Sequence, residues 1–135
     1  MKNIIYILLI FSFLGCKQSI KPTDLAYLNG YWEIKKVTLP DETIKEYSVN
    51  QSIDFIELDK NNKGFRKKLV PQLDGKFLTS DVAETLEIIT KKDDFYIKYT
   101  TKFTTWEEKI IKLTKDEFVV TNEHSFEYLY QRMKK

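Results

Sequence analysis

The sequence predicts an all-β protein, an antiparallel up-and-down β-barrel of about eight to ten strands behind an exported N-terminal segment. Three observations carry this expectation. From Tyr31 onward, β-branched and aromatic residues alternate with polar ones in short runs. Gly, Asn, Asp and Pro cut those runs at intervals of roughly eight to twelve residues, the spacing of a hairpin train. Beyond one turn near Asp24, no stretch carries the apolar period of a long helix.

At the start of the chain, Lys2 precedes Ile4 to Leu14 (IIYILLIFSFL), an almost wholly apolar run of eleven residues. That is about half of the roughly 20 needed to span a bilayer, so it reads as the h-region of a signal peptide. It ends in Phe13-Leu14-Gly15-Cys16, which resembles the lipobox of bacterial lipoproteins, where a small residue precedes a cysteine acylated on sulfur before cleavage. Gly15 and Cys16 match that pattern, and Phe13 and Leu14 fit it as the looser boxes of Bacteroidetes do. The resemblance implies a signal peptide over residues 1–15, a lipidated Cys16 and tether over 16–23, and a folded domain over 24–135. Cys16 is the only cysteine, so in an oxidising compartment it would stay an unpaired thiol unless modified. Two or three acyl chains, at about 0.8 kcal/mol per buried methylene, anchor a protein stably to a membrane. Lys17 to Pro22 holds no acidic run of the kind that resembles the surface-export signal of Bacteroidetes lipoproteins. The expected location is therefore the periplasmic face of the outer membrane.

Thr23 or Asp24 is placed to cap a short helical turn through Leu28, and Gly30 lies where the chain must leave it. Strands are expected over Tyr31–Leu39, Thr43–Val49, Ser52–Asp59, Gly64–Val70, Val82–Thr90, Phe95–Thr101, Thr105–Leu113, Phe118–Thr121 and Ser125–Met133. Pro40-Asp41-Glu42, Asn61 to Gly64, Asp74-Gly75, Lys91 to Asp94, Lys115-Asp116 and Asn122-Glu123 supply the turns between them. Period two puts Phe95, Ile97 and Tyr99 on one face, and Phe126, Tyr128, Tyr130 and Arg132 on another. Closing such a meander removes its sheet edges, and about eight strands is the size that can hold one small ligand.

Leu28-Asn29-Gly30-Tyr31-Trp32-Glu33-Ile34 resembles the opening of the lipocalins, a Gly-x-Trp on the first strand after a short helical turn. Arg132 lies where the last lipocalin strand often offers an arginine to that tryptophan. The resemblance implies that Gly30, Trp32 and Arg132 close the barrel, the guanidinium over the indole contributing about 0.5–2 kcal/mol. Pro71 to Phe77, Tyr99 to Glu108 and Phe126 to Arg132 look similar to small lipocalin-like lipoproteins of Bacteroidetes. The chain is shorter than the larger lipocalins and lacks their disulfide and following helix.

Composition excludes several classes of function. The chain has 22 basic and 20 acidic residues, and loss of Lys2 with the signal peptide leaves 21 − 20 = +1. That balance recruits no nucleic acid, and Arg66-Lys67-Lys68 reads as part of a solvated strand. His124, the single histidine, falls in a turn, which leaves no His-based nucleophile or multi-His metal site; no cofactor or metal is expected. Adjacent strand residues face opposite ways, so Glu107 and Glu108 do not converge, and Asp93-Asp94 reads as hairpin solvation. Glu84 and Glu87 differ in parity, which places one of them inside. An enzyme is not expected.

Tyr47, Tyr96, Tyr99, Trp106, Tyr128 and Tyr130 can line a pocket or fill the barrel themselves. Arg66 and Arg132 are the only arginines, and a planar fork inside a barrel suits a carboxylate ligand or an internal acid such as Glu84 or Glu87. The candidate ligand-binding residues are Arg66, Tyr99, Trp106, Tyr128 and Tyr130. The expected protein is a monomer, held to a membrane by its lipid, whose barrel binds a small, partly apolar molecule. The alternative is a filled barrel that meets another envelope protein through Pro71 to Phe77 or Thr100 to Thr105.

Overall fold

The computed structural model describes residues 19–49 and 52–134. Cys16 and the apolar leader lie outside them. Among the described residues nine strands follow one 3-10 turn, Pro22–Leu28: β1 Gly30–Thr38, β2 Ile44–Glu46, β3 Ile53–Leu58, β4 Lys63–Pro71, β5 Phe77–Lys91, β6 Asp94–Thr100, β7 Thr105–Leu113, β8 Glu117–Thr121 and β9 Glu127–Arg132. Each strand pairs antiparallel with its sequence neighbour from β3 to β9, and β1 pairs with both β3 and β9. The sheet therefore closes into a barrel of eight staves. The short β2 is no stave: it pairs with Lys36–Thr38 on the same edge of β1 whose first residues, Gly30–Trp32, pair with β3.

The closing seam sets Trp32 opposite Arg132, Ile34 opposite Tyr130 and Val37 opposite Tyr128. A bulge between Ile34 and Lys36 admits one extra residue, so that Val37 faces inward as Ile34 does. All these pairings fall between residues 30 and 132, which makes the barrel a self-contained unit.

Most strands fall within two residues of their expected bounds, and three elements differ. The helical turn starts at Pro22, because proline suits a first helical position and the Asp24 carboxylate reaches back to accept from the Lys21 N–H at 2.9 Å. Strand β5 begins five residues before the expected Val82, because Asp74-Gly75, with Gly75 at φ +81°, turns the chain tightly enough for Phe77 to Thr79 to pair with Pro71 to Leu69. Strand β2 is three exposed residues, less than half the expected Thr43–Val49, since it buries nothing.

The core fills the end of the barrel where β1 begins. Leu25 and Leu28 from the 3-10 turn join Trp32, Ile56, Leu86, Ile97, Ile110, Leu113, Phe118 and Val120 in one buried cluster. At that end Ser19 and Ile20 line a cleft of about 430 Å³ with Asp93, Phe95 and Lys109, so the chain enters the barrel there. The opposite end, ringed by the loops after β1, β2, β4, β6 and β8, is the mouth.

Candidate functional site: a sealed end and a polar lumen

At the sealed end the Trp32 indole donates to the Leu28 carbonyl at 2.8 Å, fixing the 3-10 turn across the barrel floor. The Arg132 guanidinium lies 4.3 Å from the Trp32 ring. Its Nε donates to the Lys115 carbonyl at 2.7 Å, Nη1 to Asn29 at 2.8 Å and Nη2 to Tyr27 at 2.6 Å. One side chain thus ties the last strand to the turn before the first and to the β7–β8 turn. Gly30 makes room for it: at φ +128°, a Cβ there would stand 2.3 Å from Arg132 Nη1. The three residues singled out in the sequence for closure therefore meet at one place.

Above the floor the lumen turns polar. Arg66 on β4 faces inward and donates through Nε to Glu84 on β5 at 2.5 Å, with its guanidinium 4.1 Å from the Tyr99 ring. Burial works against the Arg66 charge, but Tyr99, Glu84, Tyr130 and Asp54 outweigh it, and the proton is held beyond the ordinary arginine range. Asp54, buried on β3, accepts from Lys68 at 3.2 Å. Glu108 on β7 is also buried and accepts from the Trp106 indole at 3.3 Å. Burial pushes its carboxyl above the usual carboxylate range, and neither Arg66 nor Trp106 cancels that.

Rings pack between these charges. Tyr99 stacks on Trp106 at 5.2 Å, Tyr130 on Phe118 at 4.6 Å, and Phe118 meets Trp32 edge-on at 4.7 Å. Burial raises both the Tyr99 and the Tyr130 hydroxyl, so each is a neutral donor and acceptor. Among the described residues neither hydroxyl has a hydrogen-bond partner, whereas every side-chain polar atom there that is sealed from solvent has one. Both hydroxyl oxygens therefore keep a little solvent access, although the two residues are only 1% and 8% exposed.

Arg66, Tyr99, Trp106 and Tyr130 come together, with Tyr128 nearer the mouth, where its hydroxyl is 3.5 Å from Asn122 Nδ2. Two other candidates for the lumen stand elsewhere. Tyr96 points outward under Lys91, as the parity of Phe95, Ile97 and Tyr99 requires, and Tyr47 sits exposed in the loop after β2. Within Arg66-Lys67-Lys68, Arg66 departs from the solvated reading by turning inward to Glu84, while Lys68 stays 62% exposed and reaches Asp54 from outside. Of the carboxylates, Glu84 faces in and Glu87 faces Lys63, while Glu107 faces Lys91 and Glu108 faces in. His124 is an exposed turn residue beside Glu123. The buried acids Asp54 and Glu108 also belong to the lumen and were missed; the parity of Trp106, Glu108 and Ile110 was the available signal for Glu108.

A closed eight-staved barrel, floored by a helical turn and clasped by Trp32 and Arg132, defines the calyx class of all-β proteins. The chain belongs to the lipocalin-like domain family, whose model matches residues 28–120. It is similar in fold to a lipocalin-like protein from Bacteroides uniformis ATCC 8492, with TM-score 0.51 and 12% identity over 79% of this chain and 99% of that one. It is equally similar to an uncharacterized protein from Bacteroides eggerthii DSM 20697, with TM-score 0.51 and 11% identity over 78% and 99% of the two chains. No protein of curated function matches the sequence.

Proposed function

We propose that this protein is a lipid-anchored envelope protein, at the periplasmic face of the outer membrane, whose barrel binds a small, partly apolar molecule without transforming it. The observation that carries the reading is the pair of hydroxyls on the buried Tyr99 and Tyr130, which have no hydrogen-bond partner among the described residues. Buried polar groups are ordinarily satisfied, so such groups await water or a ligand. Aromatic walls with a few convergent polar groups are the usual composition of a small-molecule site. The anchor rests on the Gly15-Cys16 motif behind its apolar run, and Ser19 at the sealed end would leave the mouth facing away from the bilayer.

Native mass spectrometry of protein taken from its own cell envelope tests the binding half. The expected spectrum carries a discrete adduct of small-molecule mass, and a bare mass in every preparation counts against a carrier. Labelling with an alkyne-tagged fatty acid tests the anchor: Cys16→Ala should lose both label and membrane association, and retained label refutes the assignment.

A second reading, docking on another envelope protein, is favoured by apolar side chains at the mouth. Leu73 after β4 and Phe103 after β6 are almost wholly exposed.

A further inference from the structure

Charge accounting in the lumen separates two classes of ligand. Arg66 is engaged by Glu84 at 2.5 Å and by the Tyr99 ring, and Lys68 by Asp54 at 3.2 Å. The inward cation is thus already committed to an internal acid, and Lys68 extends mostly into solvent. Glu108 is the odd group: only 8% exposed, it accepts one long hydrogen bond from Trp106, and among the described residues no Lys, Arg or His lies within ion-pair reach. One inward cation, Arg66, stands among the three inward acids Asp54, Glu84 and Glu108, since the Lys68 side chain is 62% exposed, and an uncompensated carboxylate in a low-dielectric space is costly.

The surroundings of Glu108 favour one kind of compensation. Trp106 and Tyr128 are half-buried second residues of β7 and β9, on the mouth side of the acid. Tyr99 stacks on Trp106, and the Tyr128 hydroxyl lies within the electrostatic reach of Glu108. Ring faces attract cations, and more strongly where water is excluded. The unpartnered Tyr99 and Tyr130 hydroxyls add acceptors for N–H donors.

We propose that the lumen takes an organic cation, an ammonium-bearing and otherwise apolar molecule whose charge sits against Glu108 among Trp106, Tyr99 and Tyr128. The proposal rests on the lumen-binding reading above and specifies its ligand. A carboxylate of the same shape is disfavoured, because Glu108 repels it and Arg66 already donates through Nε to the internal acid Glu84. The arginine inside the barrel thus serves an internal acid, and the recognition group is Glu108, the acid with no cation in ion-pair reach among the described residues.

The test uses the chain from Lys17 onward, which keeps every strand of the self-contained barrel, and three eight-carbon probes of different head group: octylamine, 1-octanol and octanoate. Affinities are read by calorimetry at low salt and neutral pH. Octylamine should bind about tenfold more tightly than octanol, and octanoate more weakly than octanol. Glu108→Gln, which keeps an acceptor for the Trp106 indole, should bring octylamine down to the octanol affinity and leave octanol unchanged. Equal affinity for all three, a preference for octanoate, or an amine preference that survives Glu108→Gln overturns the proposal while leaving the lumen reading intact. If none of the probes binds, the lumen reading falls and takes the proposal with it. The panel on the unsubstituted chain decides the matter even where the Gln variant fails to fold.

Discussion

Arg132 makes three hydrogen bonds to carbonyls and covers an indole with a single planar group, which no other side chain matches geometrically. Arg132→Ala should cost about 2–4 kcal/mol in urea unfolding, and Arg132→Lys should recover less than half, because an ammonium cannot serve three divergent carbonyls. The buried Arg66–Glu84 pair behaves differently. Glu84→Ala leaves a guanidinium without its acid and should cost about 3–5 kcal/mol, whereas Arg66→Met combined with Glu84→Leu should restore most of that loss. For Glu108 the effect depends on pH. Its folded pKa is raised by burial above the reference 4.5, so the folded state binds the proton more tightly than the unfolded one. Below 4.5 both states are protonated and burial of the acid carries no charge penalty; as pH rises through the raised value, stability is lost. The melting temperature of Glu108→Gln relative to the parent should therefore be higher at about pH 7.5 than at about pH 4, and a constant difference would contradict the assignment. The clasp residues were legible in the sequence because Gly-x-Trp and a terminal arginine are local patterns. Asp54 and Lys68 were not, because they meet as cross-strand partners in the β3–β4 register, which alternation along one strand does not reveal.

At the scale of elements, turn chemistry sets the register. Glu42, Asn62, Lys92, Asp93 and Ser125 all hold positive φ, at or beside the sites where Asp, Asn and Gly mark turns in the sequence. Gly64 is the least replaceable residue of the β3–β4 hairpin, since a Cβ there would stand 1.7 Å from the Glu57 carbonyl oxygen. Gly64→Ala should cost about 2–3 kcal/mol or more by forcing the strands apart, measured as a drop in melting temperature, whereas Gly75→Ala, with nothing near its Cβ, should cost only the strain of its positive φ. Strand bounds were legible wherever one face is buried, as in β6 and β7. They were blurred at β2, which is exposed throughout, and at the start of β5, where Leu78 and Thr79 are both exposed and burial imposes no alternation.

The described barrel has unlike ends, apolar and sealed where the chain enters and polar toward the mouth. That asymmetry follows from which inward positions carry charge: Asp54, Arg66, Glu84 and Glu108 lie toward the mouth from Ile56, Leu86 and Ile110. It also supplies a direct test, because the chain has two tryptophans, one at each level. The Trp32 indole N–H is held by the Leu28 carbonyl in the floor, and that of Trp106 by Glu108 in the lumen. Titration of the 15N-labelled barrel with octylamine and, in parallel, with octanol should move the Trp106 indole resonance saturably while the Trp32 resonance stays in place. A Trp106 resonance that stays fixed with both probes at saturating concentration would contradict a ligand in the lumen.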